Sequence, residues 1–196
     1  LAVLTATFDV FGGGTLGTVA VSGGGMTSWT SINSVDFSDI ATPTSRLHMF
    51  RALQASPGSG TITISTSGGT SEKAAVWAVE QFCAVDSSGT NGSGAGVQSA
   101  TNRSDGSGDP NTLTVTLAAL GDATNNVVYA SFGSGEDATM TPGSGYTELT
   151  DQNDGAGQGV TLETQWKLPG TTTPNAGGIS AFVDSGGIGI EIKVAP

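Results

Sequence analysis

The chain has 196 residues, a formal net charge of −11 and an isoelectric point near 4.1. Six cationic side chains cannot neutralise a phosphate backbone, which argues against nucleic acid as a partner. One His, one Cys and scattered carboxylates, set against 31 Gly, leave little material for an acid/base pair, a nucleophile relay or a zinc centre, so the composition points to a non-enzymatic structural or binding role.

In chain order, the opening residues, Leu1 to Phe8, read as a strand already under way, without the basic flank of a secretory signal. Residues 1–11 are weakly patterned and are expected to act as an arm or edge strand that docks on a neighbour. Thr15 to Val21 and Ser45 to Ala52 are the next strands. In Thr61 to Thr66 the alternation puts Ile62 and Ile64 on one face. Ala74 to Phe82 is apolar on both faces, as a central strand covered on both sides would be, and Cys83 continues that apolar run as a small buried hydrophobe.

Val85 to Asn111 is rich in Gly, Ser, Asn and Asp and reads as a long surface loop. Thr112 to Leu117, Asn126 to Phe132 and Gly145 to Thr150 read as strands, followed by a second surface loop over residues 151–159. In Val160 to Leu168 the inward set is Val160, Leu162, Thr164, Trp166 and Leu168, with Glu163, Gln165 and Lys167 outward. Gly178 to Val183 and Gly187 to Val194 close the list, the last burying Ile188, Ile190, Ile192 and Val194. The period of 2 almost throughout predicts an all-β chain: one domain over residues 1–196, an antiparallel β-sandwich of jelly-roll-like type with roughly ten to twelve short strands. No apolar stretch approaches the ~20 residues that cross a bilayer as a helix, so no membrane partner is expected.

Few residues qualify as sites. The second loop carries Asp151, Asn153 and Asp154, oxygen donors of the kind calcium takes, although their spacing is not that of an EF-hand. Trp29 and Tyr146 lie near strand ends, where exposed aromatic faces could bind a glycan. Trp77 and Trp166 fall on inward rows and read as core. Glu80 is the one charge within the apolar run 74–82, and an ion pair with Arg46 or Arg51 is its expected partner. A sugar hydrolase would need facing carboxylates, and Glu80 with Asp86 or Glu163 are the pairs available, but the Glu-x-Asp-x-x-Glu strand motif of sandwich-fold glucanases is absent. His48 alternates outward beside Arg46, as a surface residue would.

Several stretches together resemble a family of Gly- and Thr-rich β-sandwich proteins from the structural gene regions of tailed bacteriophages. They are Thr42-Pro-Thr-Ser-Arg-Leu47 running into Phe50-Arg51, Trp77-Ala-Val-Glu-Gln-Phe82 with Val85-Asp86, Thr90-Asn-Gly-Ser-Gly94, Thr141-Pro-Gly-Ser-Gly-Tyr-Thr-Glu-Leu149 and Gly189-Ile-Glu-Ile-Lys193. The likeness runs from about Ser45 to the end and carries no catalytic signature. It implies a virion component on the particle surface: a capsid decoration (cement) protein or a tail or fibre module. Its expected partners are the major capsid protein or another virion protein, with assembly as a homo-oligomer, a trimer by preference, and surface glycans as an alternative ligand.

Overall fold

The computed structural model describes residues 1–10, 13–38, 41–104, 111–155, 159–179 and 184–195. It is all-β and antiparallel, with fourteen strands among those residues: β1 (Ala2–Asp9), β2 (Thr18–Gly23), β3 (Thr30–Phe37), β4 (Ser45–Ala52), β5 (Ile62–Ser67), β6 (Ala74–Gln81), β7 (Gly96–Ser104), β8 (Thr112–Thr114), β9 (Val127–Ser134), β10 (Thr141–Pro142), β11 (Thr147–Asn153), β12 (Thr161–Lys167), β13 (Asn175–Gly177) and β14 (Ser185–Ile192). Two sheets form the sandwich, one in the order β3-β4-β1-β6 and one in the order β11-β12-β9-β14-β7. A β2–β5 ribbon and a three-stranded sheet, β10-β13-β8, complete the set.

Three apolar layers hold these pieces. Val3, Leu47, Met49, Val76 and Ala78 of the first sheet meet Tyr129, Leu162, Ile188, Ile190 and Ile192 of the second, forming the main core. The opposite row of β1, Leu4, Ala6 and Phe8, joins Phe50 beneath Val19, Val21, Ile62 and Ile64 of the ribbon. On the far side, Ala130 and Phe132 pack under Leu113, Met140 and Ala176. Strands β1, β9, β12 and β14 are therefore covered on both faces, which is why β1 is buried at every position. Close approach of the layers also explains glycines inside strands: a Cβ on Gly187 would lie 2.8 Å from Phe132 and from Val115.

Several expectations need correction. β1 is not a docking arm or an edge strand, because it pairs with β4 along one side and β6 along the other; Phe11, the end of the expected arm, lies outside the described residues. The apolar run 74–82 is not central: β6 ends its sheet and alternates between buried and exposed residues. The first expected loop contains β7, which pairs with β14 through Ser104, and the second begins inside β11, since Asp151 and Asn153 are strand residues paired with Glu163 and Thr161. Glu163 and Gln165 are fully buried instead of outward. Cys83 is exposed. Asp105, Asp109 and most of the expected strand 178–183 lie outside the described residues.

Candidate binding edge at β6

Alternation along β6 turns Ala74, Val76, Ala78 and Glu80 inward and Ala75, Trp77, Val79 and Gln81 outward. The inward row is fixed by Glu80. Thr164 donates to its Oε1 at 2.8 Å and Tyr129 to its Oε2 at 2.9 Å, while the Thr5 hydroxyl lies 3.1 Å from that of Tyr129. Burial raises the Glu80 carboxyl above its ordinary range, and these hydroxyl donors partly offset the effect. The network joins β6 to β12, β9 and β1 in the interior of the sandwich, where its chemistry is to hold strands.

Neither Arg46 nor Arg51 takes part. The expected Glu80 pair with Arg46 or Arg51 is replaced by Asp36, whose two carboxylate oxygens accept from Arg46 at 2.5 and 2.9 Å, and by the Asn91 carbonyl, which accepts from Arg51 at 3.2 Å. Register explains this: Arg46 and Asp36 are direct cross-strand neighbours on β4 and β3. Hydroxyls inside the sandwich satisfy Glu80 at no desolvation cost for a second charge.

The outward row is left open. The ribbon covers β1 and β4 but stops short of β6, so Trp77 is 48 % and Val79 39 % exposed. A groove of about 330 Å³ runs at that step, with Phe8, Ala75 and Trp77 of the sheet on one side and Ile62, Ile64 and Thr66 of the ribbon on the other. Glu72 supplies its charged group, its Oε2 held by the Thr66 hydroxyl at 2.5 Å. Sequence reasoning placed Trp77 in the core because the run is apolar on both faces. The signal that separates the readings is the small size of the inward residues, Ala74, Val76 and Ala78, which leaves the bulk of the run on the outside.

The other candidates lie elsewhere. Trp29 packs into the layer beneath the ribbon and donates from Nε1 to the Gly23 carbonyl at 3.0 Å. Tyr146 stands before β11, its hydroxyl 2.9 Å from that of Thr171 and its ring 5.3 Å from Lys167 Nζ. The two aromatics belong to different layers and form no common face. Asp151 and Asn153 lie exposed on β11; the side chain of Asp154, just beyond it, approaches Gly159 together with that of Asp137.

Asp86 is paired with Lys193 at 2.7 Å, and the hydrogen bond from that ammonium, then those from Ser88, hold its carboxyl well below the usual range. Its partner set is thus separate from that of Glu80. His48 stacks on Phe50 with ring centroids 4.0 Å apart, and burial followed by Arg46 pushes it down to about 4, so it is neutral at physiological pH. A polar cleft also lies at Ser34 and Arg103 between β3 and β7, and a mixed one at Asn126, Lys193 and Val194. No family model matches the chain, and no curated protein or solved structure is similar to it.

Proposed function

We propose that the chain is a non-enzymatic structural component of a tailed-phage virion, a capsid decoration protein that docks on the particle surface as a homo-oligomer, with a trimer the expected form. One observation carries this reading: β6 presents an uncharged, partly apolar row at a sheet edge on a molecule of net charge −11. Such a row is a surface for another polypeptide. The resemblance of the sequence motifs to those of phage structural proteins supports the same reading, as does the layered sandwich with few titratable groups. A glycan site built on Trp29 and Tyr146 needs both rings on one face, and their place in different layers favours assembly over sugar binding.

The test is electron microscopy of particles carrying this gene, labelled with an antibody against the purified chain. Regular labelling of capsids is the expected result, and capsids free of label would overturn the proposal. Light scattering of the purified protein should give three times the 19.4-kDa chain mass, unchanged by a calcium chelator.

A further inference from the structure

We infer that Glu163, Asp151 and Glu148 form a binding site for one hard divalent cation of calcium's type, on the face of the second sheet turned away from the first. The site lies within a single chain, so the inference stands apart from the assembly reading above.

Strand register brings the three carboxylates to one face. Asp151 on β11 and Glu163 on β12 are direct antiparallel partners, and Glu148 is the partner of Gln165, which shares a side of β12 with Glu163. Regular alternation would send Glu148 and Asp151, three residues apart, to opposite faces. The bulge between Glu148 and Thr150 puts them on the same one.

The independent observation is the state of Glu163. It is 0 % exposed, and neither of its oxygens has a hydrogen-bond partner among the described residues. A buried carboxyl without donors is costly, and no side-chain cation answers it. The ion pairs among the described residues lie elsewhere, at Arg46 with Asp36 and at Lys193 with Asp86. Lys167, next after Gln165 on this side of β12, gives its ammonium to the Ser144 carbonyl and the Tyr146 ring. Gln165 is engaged as well, accepting from the Gly143 N–H and donating to the Asn175 carbonyl.

The route to Glu163 runs over the sheet edge. β11 ends its sheet, and Glu148 and Asp151 are exposed on it, so an ion entering there has Glu163 on its inner side and water on its outer side. As the side chains stand, no three acidic, His or Cys groups among the described residues are close enough to hold a metal. Closing the site takes rotation of the exposed Glu148 and Asp151 side chains, while the paired backbones of β11 and β12 stay in place. An all-oxygen donor set selects a hard cation over zinc or copper. Carboxylates on side chains of unequal length suit calcium, whose coordination is flexible, better than magnesium, which demands a near-ideal octahedron.

The experiment uses the full chain, stripped with a chelator and dialysed, and titrates it with calcium chloride by calorimetry at pH 7. One ion should bind per chain, with a dissociation constant below ~1 mM, as in extracellular calcium modules. Glu163→Gln and Asp151→Asn should each weaken binding by ~10-fold or more, and magnesium chloride should bind the native chain ~10-fold more weakly than calcium. Asp137→Asn/Asp154→Asn, which alters the two carboxylates that meet at Gly159, should leave calcium binding unchanged. In urea, calcium should raise the midpoint of the native chain and leave that of Glu163→Gln where the chelator puts it.

Absence of saturable calcium binding up to ~1 mM would overturn the inference. Binding that Glu163→Gln leaves unchanged would do the same, because exposed acidic residues alone would then account for it. Loss of binding in Asp137→Asn/Asp154→Asn would move the site to Gly159, and equal binding of magnesium would remove the assignment to calcium's type; either result overturns the inference.

Discussion

Glu191 and Glu163 lie on the same five-stranded sheet, and both are fully buried, yet they have opposite fates. Glu191 receives hydrogen bonds from the Asn126 amide at 2.7 Å, Gln98 at 2.8 Å and the Gly121 backbone at 2.8 Å. Burial alone would push its carboxyl up, but these donors and the Asp122 backbone outweigh it and leave the group below its ordinary value. Glu163 has neither oxygen hydrogen-bonded among the described residues and shares its face with Phe132 and Asp151. Burial first, then the nearby Glu148, Asp151 and Glu80, push it up to about 9, so it is protonated at neutral pH. Burial does not decide the charge of a carboxyl; the supply of donors does.

The largest effect should follow from breaking the satisfied site. Glu191→Ala removes the acceptor shared by Gln98, Gly121 and Asn126 and leaves these donors without that partner. Urea denaturation is expected to show a loss of about 3–5 kcal/mol. A loss below about 1 kcal/mol would mean that water reaches those donors and that the contrast with Glu163 is one of exposure.

The opposite sign is expected at Glu163. Below pH 4.5 both the folded and unfolded chains hold this proton, and Glu163→Gln should leave stability unchanged. Between pH 4.5 and about 9 the unfolded carboxyl releases its proton while the folded one retains it, so native Glu163 costs more stability as pH rises. At about 1.36 kcal/mol per unit of pH, Glu163→Gln should stabilise by roughly 3–4 kcal/mol at pH 7. Equal urea midpoints for the two proteins at pH 7 would show that Glu163 is ionised and compensated.

Glu80 is the intermediate case, with two hydroxyl donors and a carboxyl raised above its ordinary value. Tyr129→Phe removes one donor and keeps the ring packed in the main core. It should cost about 1–2 kcal/mol and push the remaining carboxyl further up. An NMR titration of Glu80 in the two proteins checks the direction of that shift.

The sequence makes the strands of the main core legible and hides their surroundings. β1, β4, β12 and β14 show period-2 rows of large apolar residues, and their expected positions agree with the observed ones to within about two residues. β3 escapes because a bulge between Ser31 and Asn33 breaks its alternation, so that Ile32, Val35 and Phe37 do not read as one row. β7 escapes because an exposed edge strand of Gly, Ser, Thr and Asn has the composition of a loop. Burial of Glu163 and Gln165 depends on a cover in which β8 falls within the expected strand 112–117, whereas β10 and β13, of two and three residues, are too short to leave a periodic signal. The β6 edge is hidden for a related reason: exposure of Trp77 is decided by where the ribbon ends, a fact of tertiary packing.

The smallest effect separates two neighbours on one strand. Thr5 and Thr7 both point from β1 into the space between the main sheets and both are fully buried, but the Thr5 hydroxyl meets Tyr129 whereas Thr7 Oγ1 has no partner among the described residues. Valine has nearly the shape of threonine without the hydroxyl, so each substitution isolates that group. Thr5→Val removes a hydrogen bond from the Glu80 network and should cost about 1 kcal/mol. Thr7→Val removes a buried polar group that gains nothing from folding, and should be neutral or stabilising by up to about 1 kcal/mol. The methyl that replaces the hydroxyl must still pack beside Gly133, where the space is tight enough that a Cβ on the glycine would lie 2.6 Å from Thr7 Oγ1. A urea midpoint that falls as far in Thr7→Val as in Thr5→Val would show that the Thr7 hydroxyl is satisfied, and the link between donor supply and stability would then fail at its simplest pair.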